Sequence, residues 1–383
     1  MSIFSTHPAL RWAVPGVAVV AVVGGAGAAG MISAQADSPL APRTAAQLLV
    51  DVQNARLDGL SGTVVQRADL GVPALGAISG SGGSATGSGG GGSSAGGSGS
   101  SDLTSLVSGT HTLRLWYAGP DRSRVALLGT SGESDVIRNG KDVWLWSSQD
   151  KSATHMTLPA EDARHRAAPP APGTTGMPSS PQEAADLALK AITPSTTVTT
   201  SGTARVAGRS AYELVLTPKD PASLVASVRL AIDSQKHVPL RVQVLAKGSS
   251  EPAFEVAFTS VDFGRPDAAQ FAFNPPEGTK VTERTLPSHQ DKKPGKDTAG
   301  RPTIVGTGWG AVAVATMPQQ AAGSGTNDGQ VKAMLDLLPK VSGAWGQGHL
   351  LEGKLFSAVL TDDGRVAVGA VTPQRLYAAL AER

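Results

Sequence analysis

The side chains able to do chemistry are spread thinly along this chain. Its seven histidines stand at positions 7, 111, 155, 165, 237, 289 and 349, and no pair has the helical spacing that lets two imidazoles grip one metal ion. His155 and His165 flank a proline-containing loop, where a solvated imidazole is the ordinary case. Gly129-Thr130-Ser131-Gly132 sets a serine in a turn, but the second half of a G-x-S-x-G nucleophile elbow is absent, so it reads as a β-turn. Asp362-Asp363 are adjacent acids whose place beside Gly364 makes them turn formers first. Gly87-Ser88-Gly89-Gly90-Gly91-Gly92 matches G-x-G-x-x-G in form, yet no strand leads in and no helix follows to cradle a phosphate. Lys292, Lys293 and Lys296 form a small solvated charge run. With no cysteine there is no disulfide, thiolate nucleophile, cysteine metal site or lipobox anchor. These residues point away from catalysis, metal and cofactor alike, and toward binding through apolar surface.

Charge and length narrow the classes further. Lys+Arg 33 against Asp+Glu 31 argues against a nucleic-acid partner, which would call for a clustered basic excess. The 383 residues leave room for about two domains. At the N-terminus, His7 and Arg11 precede an uncharged stretch from Trp12 to Ala36 that ends in Ala34-Gln35-Ala36, the small-x-small pattern of a signal-peptidase site. Residues 1–36 are therefore expected to be a cleaved export signal or, alternatively, a membrane anchor, and the body of the protein is expected to work outside the cytoplasm.

The strongest local signal is Val136-Ile137-Arg138-Asn139-Gly140-Lys141-Asp142-Val143-Trp144-Leu145-Trp146. Asn-Gly suits a type I′ hairpin turn, where both central residues need φ > 0, and apolar residues flank it on each side. Two of the six tryptophans sit on the return strand. Period-two alternation then recurs in Leu113, Leu115, Tyr117; Val125, Leu127; Tyr212, Leu214, Leu216; Val228, Leu230, Ile232; Leu240, Val242, Val244; and Phe254, Val256, Phe258. Arg114, Arg124, Glu213, Arg229, Asp233, Arg241, Gln243 and Glu255 lie between them, so the pattern predicts an antiparallel sheet with one apolar and one wet face.

Two helices are expected to cover part of that apolar face. Thr44-Ala45-Ala46-Gln47 has the form of a capping box, with an apolar side at Leu48, Leu49 and Val52 and a stop at Asp58-Gly59. Ser180-Pro181-Gln182-Glu183 opens the second, with Ala184, Leu187, Ala188 and Ala191 on one side. A first strand is expected from Leu60 to Arg67, and residues 79–101 are a Gly/Ser insert that can bury no core. A charged, Pro/Gly-containing linker spans 286–301. Beyond it, 302–383 reads as a small α+β domain: a strand from Trp309 to Ala315, a helix from Val331 to Leu338, a hairpin turn at Asp363-Gly364 and a last helix capped by Thr372-Pro373.

In order along the chain, several segments resemble periplasmic lipoprotein carriers of the LolA kind. They are Leu57-Asp58-Gly59-Leu60-Ser61-Gly62-Thr63-Val64-Val65-Gln66, the hairpin finishing at Trp146, Tyr212-Glu213-Leu214-Val215-Leu216-Thr217-Pro218, Pro239-Leu240-Arg241-Val242 and Phe271-Ala272-Phe273-Asn274-Pro275-Pro276-Glu277-Gly278-Thr279-Lys280-Val281. The resemblance covers residues 44–285. Followed by a small C-terminal domain, that layout is also similar to the sigma-factor regulatory proteins MucB and RseB, with Leu360-Thr361-Asp362-Asp363-Gly364-Arg365-Val366 resembling one hairpin there. It implies a half-open antiparallel β-barrel, partly covered by helices, whose concave face holds lipid or lipoprotein acyl chains. The lining would be Leu113, Leu115, Val125, Leu127, Trp144, Trp146, Leu214, Leu216, Val228, Leu230, Ile232, Val242, Val244, Phe254, Val256 and Phe258. The same residues filling a closed core is the alternative. The partners implied are acyl chains on one reading, and an anti-sigma factor or other membrane protein on the other. The carriers' lipid-contacting arginine has no secure match in this sequence.

Overall fold

A computed structural model describes residues 40–71, 108–129, 132–158, 193–285, 302–316 and 338–382. Residues 1–36, Ser131, the Gly/Ser insert, the helix expected after Ser180, the linker lysines and most of the helix expected from Val331 fall outside the described residues.

Helix α1 (Ala45–Asn54) begins as its residues dictate. Thr44 accepts from the backbone N–H of Gln47 at 3.2 Å, and Gln47 accepts from the N–H of Thr44 at 2.9 Å, a complete capping box. It ends at Asn54 rather than at the expected Asp58-Gly59, because Leu57 turns away to pack in the core beside β1. Gly59 has another use: a Cβ there would lie 2.4 Å from the Cα of Arg265, so only glycine admits that close passage of backbone.

Twelve strands then form one sheet. They are β1 (Leu60–Ala68), β2 (Gly109–Tyr117), β3 (Arg122–Leu128), β4 (Glu133–Asn139), β5 (Asp142–Ser147), β6 (Ser152–Thr157), β7 (Thr196–Val206), β8 (Arg209–Pro218), β9 (Val225–Asp233), β10 (Pro239–Ala246), β11 (Pro252–Asp262) and β12 (Lys280–Thr285). Their order across the sheet is β12-β6-β5-β4-β3-β2-β1-β11-β10-β9-β8-β7. Every pairing is antiparallel except β12 with β6, which is parallel. Two meanders, β2–β6 and β7–β11, are thus joined by β1 lying against β11. The sheet is open, with β12 and β7 as its edges. The β4–β5 hairpin turns one residue later than the expected Asn139-Gly140: Asn139 pairs with Asp142, so the two-residue loop is Gly140-Lys141, and of the expected pair Gly140 alone takes a positive φ, +65°.

A second, six-stranded antiparallel sheet follows in the order β13-β14-β18-β17-β16-β15. Its strands are β13 (Thr303–Val305), β14 (Val312–Thr316), β15 (Lys340–Gly343), β16 (Gly346–Glu352), β17 (Ser357–Thr361) and β18 (Arg365–Gly369). Helix α2 (Pro373–Ala381) packs Leu376, Ala379 and Leu380 against Val312, Val314, Val359 and Ala367. The strand expected from Trp309 begins at Val312 instead. Gly306 at φ +83° and Gly308 at φ +59° hold backbone that no strand carries, and Gly308–Gly310 form a 3-10 turn. The described fold is mixed α+β, with a large, mostly antiparallel open sheet and two helices.

Candidate functional site

Register decides which candidate residues share a face. Across one meander Leu115 pairs with Val125, Val125 with Val136 and Val136 with Leu145. Across the sheet's middle Leu115 pairs with Gly62, and in the other meander Val256 pairs with Val242, Val242 with Leu230 and Leu230 with Leu214. Since side chains alternate with period two, one face carries Leu113, Leu115, Val125, Leu127, Leu214, Leu216, Val228, Leu230, Ile232, Val242, Val244, Phe254, Val256 and Phe258. Helix α1 lies on the β7–β10 part of it. Leu48, wholly buried, packs with Tyr212, Leu214, Leu216, Val228, Ile232 and Val242, and the Tyr212 hydroxyl donates to the Ala41 carbonyl at 3.0 Å. The second sheet adds Trp309, Leu355 and Ala370 to the same cluster, a cover that the sequence pattern had not indicated. Leu113 and Leu127 form a separate small cluster with Val125 on the β2–β3 side.

Trp144 and Trp146 do not join this face. Asp135 pairs with Ala126 on one side and Trp146 on the other, which sets both tryptophans on the opposite surface with Ile137. Val143 and Leu145 take the places on the apolar face. The tryptophans lie beneath a strap that the alternation pattern does not mark. After β11 the chain makes a 3-10 turn over Ala268–Phe271, and this turn contacts β3 and β4. Phe271 is 1% exposed, and Phe273 packs on Trp144 and Trp146 at 5.2 and 5.9 Å between ring centroids. The strap then continues into β12. The signal that could have found it is the sequence Phe271-Ala272-Phe273, two aromatics spaced to face one way.

Away from the strap the same surface is wet, as the alternation predicts. Arg241 bonds Glu213 at 3.0 Å, Arg67 bonds Glu255 at 3.0 Å, and Gln243 also donates to Glu255. Near the strap it holds a charge cluster around one buried carboxylate, Asp135. Arg124 bonds Asp135 at 2.5 Å, reaches Glu133 at 3.4 Å, and stacks its guanidinium over Trp116 at 5.3 Å. Burial pushes the Asp135 carboxyl up to about 7, with Arg124 opposing and Glu133 adding to the rise. Asp135 Oδ1, Arg124 Nε and Trp146 Nε1 have no hydrogen-bond partner among the described residues. A carboxyl titrating there could act as an acid or base, but the groups it bonds are Arg124 and Glu133, neither of them a nucleophile.

His155 was expected to be a solvated loop side chain. It stands on β6 instead, stacked on Trp144 and set between Asp142 and Glu283. Burial works against its charge, yet the two carboxylates outweigh burial and hold its pKa above that of a free imidazole. The described residues hold no group of three or more His, Asp or Glu placed to bind a metal ion. No helix among them is long and apolar enough to cross a membrane.

Residues 108–288 match the family model of the MucB/RseB N-terminal domain, a range that contains β2 through β12. Among solved structures, the Pseudomonas aeruginosa MucA/MucB complex aligns at 18% identity over 88% of this chain and 94% of that chain, with a TM-score of 0.40. A crystal structure of MucB aligns at 16% identity over 87% and 94%, with a TM-score of 0.38. A LolA superfamily protein from Nitrosomonas europaea aligns at 11% identity over 61% and 99%, with a TM-score of 0.22. With TM-scores below 0.5, these three likenesses assign no function to the chain. No match is found among curated proteins.

Proposed function

We propose that this chain is a non-catalytic interaction protein of the cell envelope that docks the extracytoplasmic part of a membrane protein, of the anti-sigma-factor kind. The observation that carries the reading is the match of residues 108–288 to the MucB/RseB N-terminal domain. The export-signal pattern before Asp37 supports a place outside the cytoplasm. The open sheet, with α1 laid on its apolar face, supports a half-open barrel as its overall form. Residues 44–285 would be that domain and 302–383 a smaller one beside it. Crosslinking in intact cells of the native host tests the docking reading. One dominant membrane-protein partner is expected, and crosslinks scattered over many proteins would end it.

A second reading, that the apolar face also holds acyl chains, rests on the run of Leu113, Leu115, Val125 and Leu127 on the side away from α1; Leu113, Leu115 and Leu127 are already buried, so this reading requires that side to open for the ligand. An acyl chain there gains about 0.8 kcal/mol per buried CH₂. Native mass spectrometry of protein purified from its own host separates the two readings. Protein that carries no lipid and takes up no fluorescent fatty acid would remove the second and leave the first. Replacing Val125, the partly buried member of that run, by Asp should abolish lipid uptake, whereas a docked partner that persists in that variant binds elsewhere.

A further inference from the structure

His155 stands where three elements meet. Its ring stacks on Trp144 of β5, 4.2 Å between centroids and 16° between planes. Nε2 lies 3.1 Å from Asp142 Oδ1 on β5, and Nδ1 lies 2.8 Å from Glu283 Oε2 on β12. A neutral imidazole has one N–H and can donate to only one of these carboxylates, whereas the imidazolium donates to both. The two-sided geometry therefore belongs to the protonated ring. Among the described residues β12 is an edge strand that pairs with β6 alone, along a parallel ladder. The Lys280 N–H donating to the Lys151 carbonyl at 2.8 Å is its main further tie near that end. An edge strand held so lightly is sensitive to each additional contact.

We propose that His155 is a proton-operated clasp: as the imidazolium it ties β12 to β5 across β6, and on losing its proton it frees one carboxylate and loosens the strap over Trp144 and Trp146. The groups around it are few. β5 offers Asp142 and Trp144, β12 offers Glu283 with Val281 and Thr285 to either side, β6 offers Ala153 and Thr157, and the strap offers Phe273 by way of Trp144. Farther along this surface stand Asp135 on β4, paired across to Trp146, and Arg122 and Arg124 on β3, in register with Asn139 and Ile137. Deprotonation leaves Asp142 and Glu283 as two uncompensated negative charges on the strands to either side of His155. With the ring's pKa raised, the clasp is fully formed below the ordinary imidazole range and is lost as pH rises through the folded-state value.

Hydrogen–deuterium exchange of the full chain at pH 6 and pH 8.5, with rates divided by the intrinsic exchange rate at each pH, tests the clasp. In the wild type, protection of residues 280–285 should fall by about threefold to tenfold at the higher pH, the scale of a charge-assisted contact in a partly exposed setting. In His155→Gln and in Glu283→Gln that step should vanish. The Glu283 side chain is 70% exposed, so Glu283→Gln leaves the core intact and keeps the test alive if His155→Gln folds poorly. Equal protection at both pH values in the wild type, or an undiminished step in Glu283→Gln, would overturn the clasp.

Discussion

Asp135 and Asp233 are both buried carboxylates, and their surroundings drive them in opposite directions. Asp233 closes β9. Burial raises its pKa, but Arg209 and the backbone N–H groups of Lys236 and Gln235, at 2.6 and 3.0 Å, outweigh burial and hold it below the ordinary carboxylate value. Its stabilising contribution is present above the ordinary carboxylate value and is lost as pH falls through the lower folded value. Asp135 has the reverse sign: the folded chain keeps its proton up to about 7 while the unfolded chain releases it far lower, so stability declines as pH rises between them. Urea midpoints measured from acid to neutral pH should separate the two. Asp233→Asn should cost about 2–4 kcal/mol near neutrality and flatten the acid limb. Asp135→Asn, which cannot ionise, should flatten the decline toward neutrality. An Asp135→Asn profile parallel to the wild type would show that this carboxyl does not titrate in that range.

At the level of elements, the strap is the feature that most changes the sequence reading. Its anchor is Phe271, and Phe271→Ala should cost about 3–5 kcal/mol by equilibrium denaturation, the usual effect of emptying an aromatic site in a core. Val281→Thr on exposed β12 should stay within about 0.5 kcal/mol of wild type. Much of the sheet was legible beforehand. Alternation in β2, β3 and β8–β11 marked strands and their apolar face, Asn139-Gly140 marked a hairpin, Thr44 and Gln47 marked a helix start, and Asp363-Gly364 marked a turn. Trp144 and Trp146 were not assignable in the same way, because β5 is apolar on both sides and local pattern cannot say which side meets which cover. Nor did β12 announce itself. Lys280-Val281-Thr282-Glu283-Arg284-Thr285 has the polarity of a loop, and it is a strand because β6 offers it a free edge. His155 has the local pattern of a loop residue for a similar reason, since its partners Asp142 and Glu283 lie 13 and 128 residues away.

The two sheets of the molecule meet along backbone as well as side chains. The Leu224 N–H donates to the Ala370 carbonyl at 2.9 Å, the Thr372 N–H to the Ala222 carbonyl at 2.8 Å and the Lys354 N–H to the Leu70 carbonyl at 2.7 Å, while Ser223 bridges Val371. Trp309 seals this junction by donating to the Thr196 hydroxyl at 2.8 Å and packing on the α1 cluster. Trp309→Ala should lower stability by about 2 kcal/mol, less than a full core truncation because the ring is only half-buried. Probes in the two sheets should still unfold together in the wild type, and separate transitions would show the junction to be weak. The order of strands has a kinetic corollary. Each meander is built from neighbours in sequence, whereas the central seam joins Leu60–Ala68 to Pro252–Asp262, which the chain supplies only after both meanders. Contacts of such wide separation form slowly, since the intervening chain must be closed into a loop before any ladder bond rewards it. A newly made chain thus holds β1 unpaired on its β11 side until almost the whole sheet exists, and that waiting edge, rather than either meander, is where its folding is most open to capture by the wrong strand.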